Sequence, residues 1–144
     1  MLFEFVYLCG LRAGELIALQ ERHLDYASRA LTVPACKTAA RTLQFNGLWP
    51  RIELLWPVVL VRKRRIRTSQ ALYMALRRLC LRAQTSRIYR PHDLRRTCAA
   101  NICERTGNIV LAKEMLGHTS VQTTEMYIGG YNRAATETAT DSLV

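Results

Sequence analysis

An arginine and a glutamate lie three residues apart in Gly10-Leu11-Arg12-Ala13-Gly14-Glu15-Leu16, which puts both on one face of a helix start. An acid so placed holds a guanidinium in one orientation and leaves its other N–H donors for a substrate anion. Taken alone, the pair also describes an ordinary surface ion pair. A second cluster, Pro91-His92-Asp93-Leu94-Arg95-Arg96-Thr97, sets His92 and Arg95 on a common helical face just after a proline. Exposed backbone N–H groups and the helix dipole favour a bound anion there. A histidine that moves a proton beside a fixed arginine suits a phosphate undergoing substitution, although a helix-capping segment has the same composition. The third cluster, Leu116-Gly117-His118-Thr119-Ser120-Val121-Gln122-Thr123-Thr124-Glu125-Met126-Tyr127, brings an imidazole after a glycine stop and a phenol at the end of a short helix. A phenolate that attacks a phosphodiester forms a covalent adduct without a metal, provided that nearby cations stabilise its ionised form. Most helical tyrosines only pack.

The elements that must position these residues can be read from periodicity. Leu2 to Leu8 is an apolar run expected to be helical, with no N-cap before it, which suggests that structure precedes it. Gly10 breaks the run, and Ala13 to Gln20 reads as a short helix with Leu16, Ile17 and Leu19 as its apolar side. From His23 to Phe45 the texture changes to short alternating segments around Leu24-Asp25-Tyr26, Ala30 to Val33 and Arg41 to Phe45. The last two flank Pro34 to Ala40 and read as a β-hairpin with a lysine-bearing loop. Beyond Asn46-Gly47 the pattern is helical. Leu48 to Val61 should start at Pro50 and break or kink at Pro57. Thr68 or Ser69 caps a helix carrying Leu72, Ala75, Leu76, Leu79 and Cys80. A helix from Pro91 stops at Gly107, one from Asn108 stops at Gly117, and Thr119 or Ser120 caps a last one bearing Tyr127. The fold class is α+β: mainly α-helical, with a small antiparallel sheet of about three strands near the N-terminal third.

Composition narrows the partners. The 144 residues carry 21 Lys and Arg against 11 Asp and Glu, a formal charge of +10, and 49% are hydrophobic. So much apolar side chain excludes a disordered basic tail. The economical partner of a folded basic domain is a polyanion, nucleic acid first and an acidic membrane surface second. Leu54 to Val61, the longest apolar stretch, contains Pro57 and runs into Arg62, far short of the ~20 residues of a spanning helix. The amino terminus has no basic n-region, so a cytoplasmic, nucleoid-associated protein is expected. Cys9, Cys36, Cys80, Cys98 and Cys103 form no CxxC pair and read as reduced core thiols.

Together the three clusters resemble the catalytic domain of the tyrosine recombinases, the phage-integrase family. Gly-Leu-Arg-x-x-Glu-Leu, Pro-His-Asp-Leu-Arg-x-Thr and Leu-Gly-His-x-Ser-x-x-Thr-Thr-x-x-Tyr are its signature blocks, here in order, with His118 23 residues after Arg95 and Tyr127 nine after His118. The resemblance implies site-specific DNA recombination by strand cleavage and rejoining, through a 3′-phosphotyrosyl intermediate and a free 5′ hydroxyl, with no metal and no cofactor. It makes Tyr127 the nucleophile, and Arg12 and Arg95 the clamp on the non-bridging phosphate oxygens. His92 takes part in proton transfer, His118 bonds the phosphate or packs near the nucleophile, and Glu15 supports Arg12. Lys37, 25 residues after Arg12 in the hairpin loop, is the general acid for the departing 5′ oxygen, although the loop lacks the family's glycine-lysine-glycine pattern. Lys63, in the basic cluster, fits that role poorly.

Arg62, Lys63, Arg64, Arg65 and Arg67 form the densest basic run and are expected to lie along the phosphate backbone of double-stranded DNA. Residues 1–128 are expected to form the catalytic domain, without the family's N-terminal DNA-clamping domain. Residues 129–144 form a tail, expected to act as an assembly arm. The resemblance further implies a homotetramer on DNA for a full-length protein and a monomeric or weakly associated isolated domain. The alternative is a truncated or decayed relative that binds DNA or a partner without catalysing recombination. A type IB topoisomerase would share the tyrosine chemistry, but the tight spacing from His118 to Tyr127 suits a recombinase better.

Overall fold

Residues 1–118, 120, 122, 124 and 125 are described by the computed structural model, and hydrophobic spacing decides most of its elements. Helix α1 (Leu2–Leu8) buries Leu2, Phe5 and Val6, the i, i+3, i+4 stripe of an amphipathic helix. Gly10, at φ +57°, turns the chain into α2 (Ala13–Ala18). The sequence carried this helix on to Gln20. It stops earlier because Leu19 leaves in an extended conformation with its side chain fully buried, and the Lys63 ammonium donates to the Ile17 and Leu19 carbonyls.

The sheet has the order β1 (Leu24–Asp25), β2 (Ala30–Val33), β3 (Arg41–Gln44), all antiparallel. Leu31 pairs with Leu43 and Val33 with Arg41, so the hairpin loop is the expected 34–40 segment and Arg41 stands at its base.

Helix α3 (Trp49–Lys63) starts with Pro50 in its first turn as expected, but it runs unbroken through Pro57. Of the break or kink expected there, the break does not occur. Pro57 and Glu53, whose carbonyl loses its partner, are both exposed, so water can serve that carbonyl. Ile52, Leu55, Trp56 and Val59 hold the opposite face in the core. Helix α4 (Ser69–Arg82) begins at Thr68, whose Oγ1 accepts the Ala71 N–H at 3.1 Å. Helices α5 (Pro91–Thr106) and α6 (Ile109–Leu116) end at Gly107 and Gly117, both left-handed at φ +63° and +64°, which places them as the C-terminal stops that the sequence implied.

Phe5 and Val6 of α1, Leu16 of α2, Leu31 and Leu43 of the sheet, Ile52 and Trp56 of α3 and Leu72 of α4 meet in one core. Helix α5 packs on α1 and α6, and Asn101 donates to the Tyr7 hydroxyl at 2.5 Å across the first of these contacts. The cysteines are all free; Cys9, Cys80 and Cys98 are buried, whereas Cys36 is exposed because it sits on the hairpin loop, so it is not a core thiol. Among the described residues no helix is long and apolar enough to cross a membrane.

Candidate active site

Glu15 is the hub of the site. It occupies the third position of α2 and accepts the Arg12 backbone N–H at 2.7 Å, closing the helix start in the reciprocal manner of a capping box. Its carboxylate is 1% exposed and also accepts Arg12 Nη1 on Oε1 at 3.0 Å. The expected Arg12–Glu15 pair is therefore present. The two-pronged grip, however, comes from Arg41, with Nη1 on Oε1 at 2.7 Å and Nη2 on Oε2 at 3.1 Å. Arg95 Nη1 stands 3.7 Å from Oε2.

Three guanidiniums thus converge on one buried carboxylate, an excess of two positive charges among the described residues. Burial alone would push the Glu15 carboxyl up, but the hydrogen bonds from Arg41 and Arg12 and the charges of Arg41 and Arg95 outweigh it and hold it below the ordinary carboxylate value.

Arg95 is fully buried. Its Nη1 donates to the Gly10 carbonyl and its Nη2 to the Leu116 carbonyl, both at 2.5 Å. Arg41 Nε donates to the Met115 carbonyl at 2.8 Å. Two arginines therefore serve the last carbonyls of α6, where the helix dipole favours cations. Gly117 follows at a left-handed angle, and a Cβ there would lie 2.9 Å from Arg41 Cδ. Beyond it His118 is 6% exposed and hydrogen-bonded through Nδ1 to Thr124 Oγ1 at 2.9 Å. Burial and then the charges of Arg95, Arg12 and Arg41 lower its pKa from 6.5 to about 4, so its ring is neutral at pH 7. The exposed His92 is also lowered, by desolvation first and then by Arg95 and Arg96, against an opposing effect of Asp93.

A cleft of about 700 Å³ opens in front of this cluster, and Arg12, Lys37, His92, Tyr73 and Arg90 are among its lining residues. Arg12 Nη1 reaches across to Thr38 Oγ1 at 3.0 Å and so ties the lysine loop to the start of α2. The structure brings Arg12, Glu15, Lys37 and His92 to one cleft, sets the buried Arg95 beside Glu15, and buries His118 against Thr124. Tyr127 and the 129–144 tail lie outside the described residues. Ser120 Oγ accepts the Gln122 N–H at 3.2 Å; the last helix expected to carry Tyr127 falls largely outside the described residues.

Arg62, Arg64, Arg65 and Arg67 are exposed. Lys63 is turned inward onto the end of α2, a structural use that separates it from the other four. Sequence reasoning missed Arg41 altogether. Its signal was the two-residue period of β3, in which Arg41 falls in phase with the buried Leu43 and Phe45. A charge on the inner face of a strand requires a partner.

Residues 50–133 match the phage integrase family. Among curated relatives, the tyrosine recombinase XerC of Shewanella amazonensis is 29% identical over 140 residues, covering 88% of this chain and 47% of that protein. XerC of Xanthomonas campestris pv. campestris is 30% identical over 136 residues, covering 88% and 42%. The crystal structure of XerA recombinase superposes with a TM-score of 0.71 at 25% identity over 85% of this chain and 50% of its own. XerH site-specific recombinase bound to palindromic difH substrate gives 0.74 at 19% identity, over 96% and 44%. The fold is that of a tyrosine recombinase catalytic domain. The chain belongs to the phage integrase family, and it spans about half the length of the curated relatives that it matches.

Proposed function

We propose that this chain carries the strand-cleaving and rejoining chemistry of a site-specific DNA recombinase. The observation that carries the reading is the joint placement of Arg12, Lys37 and His92 on one cleft, backed by Arg95, Arg41 and the buried Glu15. Phosphoryl transfer asks little of a protein beyond positioning and charge neutralisation. Here the Tyr127 hydroxyl passes its proton to His92 as its oxygen attacks phosphorus, the P–O5′ bond breaks, and Lys37 gives a proton to the departing O5′. The products are a 3′-phosphotyrosine and a free 5′ hydroxyl, and the reverse steps rejoin the strand. Arg12 and Arg95 neutralise the non-bridging oxygens. His92 serves in proton transfer and His118 supports the phosphate, its neutral ring able to gain charge when the anion arrives.

Residues 1–128 form the catalytic unit in this reading, and 129–144 an arm that docks on a neighbouring protomer when four copies assemble on DNA. Arg62, Arg64, Arg65 and Arg67 follow the duplex backbone and supply salt-dependent affinity. The chain acts where DNA is accessible, in the cytoplasm at the nucleoid.

Nicked duplexes from a randomised pool, incubated with the protein and then denatured, test the reading. A detergent-stable protein–DNA adduct is expected, unchanged by a chelator and absent from Tyr127→Phe. Retarded duplex on a native gel with no adduct would instead favour a decayed relative that binds DNA without cutting it.

A further inference from the structure

Arg41 does not belong to any of the three sequence blocks, yet it holds Glu15 of the first and packs on the turn that opens the third. It stands opposite Val33 at the base of the hairpin whose loop carries Lys37. Its guanidinium fork holds both oxygens of Glu15, at 2.7 and 3.1 Å, and Glu15 in turn holds Arg12. Its third nitrogen holds the Met115 carbonyl at 2.8 Å, and its Cδ packs against Gly117 so closely that no side chain fits there. The turn before His118 and the hairpin that carries Lys37 therefore share one rigid planar group.

We propose that Arg41 is a positioning residue: it fixes the lysine-bearing hairpin and the histidine-bearing turn to the same carboxylate, and so sets the distance across which a phosphate is held and its leaving oxygen protonated. The catalytic half of this proposal rests on the recombinase reading; the structural half does not. Lysine cannot replace this arginine, because a single ammonium cannot meet two carboxylate oxygens and a carbonyl in three fixed directions. Arg41 also touches no substrate in this account. It acts through Glu15 and through the α6 terminus.

Hydrogen exchange on the whole DNA-free chain reads the coupling directly. Three amides report on the two ends: Cys36, bonded to the Thr38 carbonyl, and Gly117 and His118, bonded to Glu114 and Lys113. In Arg41→Lys and Arg41→Met all three should exchange about tenfold faster, the loss of roughly one or two hydrogen bonds, while Ile52 to Val59 in α3 keep their protection. Acceleration at only one end, at neither, or throughout α3 as well would overturn the proposal. The activity arm compares duplexes whose leaving atom is the natural 5′ oxygen or a 5′ sulfur. A thiol, with a pKa near 8.5, leaves without a general acid. Arg41→Lys should slow cleavage of the oxygen duplex about 100-fold, the scale of an ångström's misplacement, and sulfur should return at least tenfold of that loss. Equal slowing on both duplexes would overturn the route through Lys37. A wild-type chain that forms no adduct on either duplex would refute the recombinase reading, while the exchange result still decides whether Arg41 is the strut.

Discussion

Lowering the pH from 7 to 5 should destabilise this domain through His118. In the folded chain burial and the charges of Arg95, Arg12 and Arg41 hold the imidazole at about 4, against an ordinary 6.5. The unfolded chain therefore binds the proton first, and stability is fully present above pH 6.5 and is lost as pH falls toward 4. Complete protonation of the unfolded state alone corresponds to about 3 kcal/mol, of which about 2 kcal/mol falls between pH 7 and pH 5. With a urea slope of ~1–3 kcal/mol/M, that is a midpoint shift of roughly 1 M. Urea unfolding of wild type and His118→Gln at both pH values isolates the effect, since glutamine can still reach Thr124 but carries no titrating ring. Wild type should lose about 2 kcal/mol more than the variant across this interval. Equal losses in the two proteins would refute the claim that the arginine cluster holds His118 neutral.

Other consequences are simpler to check. Gly117→Ala should cost about 1–2 kcal/mol from the left-handed angle alone and more through the 2.9 Å approach to Arg41, read as a lowered Tm; Gly47→Ala, with nothing within 4 Å, should change stability by less than about 0.5 kcal/mol. Arg64→Ala and Arg65→Ala should each weaken duplex binding and reduce the salt slope by about 1. Lys63→Met should leave that slope unchanged and lower stability by about 1–2 kcal/mol, because it strips the Ile17 and Leu19 carbonyls of a donor.

The helical frame was legible because its stops are local. Gly107, Gly117, Thr68 and Pro50 act on the chain within a turn of themselves, and the hairpin announced itself by its two-residue period. The break expected at Pro57 did not form because the cost of an internal proline depends on whether the freed carbonyl faces water, which no local pattern states. The site divides along the same line. Arg12, Glu15, His92 and Arg95 sit at helix starts at fixed spacings, so their faces could be read directly. Arg41 acts through residues 26 and 74 positions away, and only the tertiary fold brings them together. The same long-range packing put Lys63 under α2 while its neighbours stayed exposed.

Mapping the covalent bond tests the central claim most directly. Adduct formed on a nicked duplex, digested and sequenced by mass spectrometry, should carry the nucleotide on Tyr127 through a 3′ phosphate, with the released strand ending in a 5′ hydroxyl. Attachment to the cleft-lining Tyr73, or through a 5′ phosphate, would contradict it.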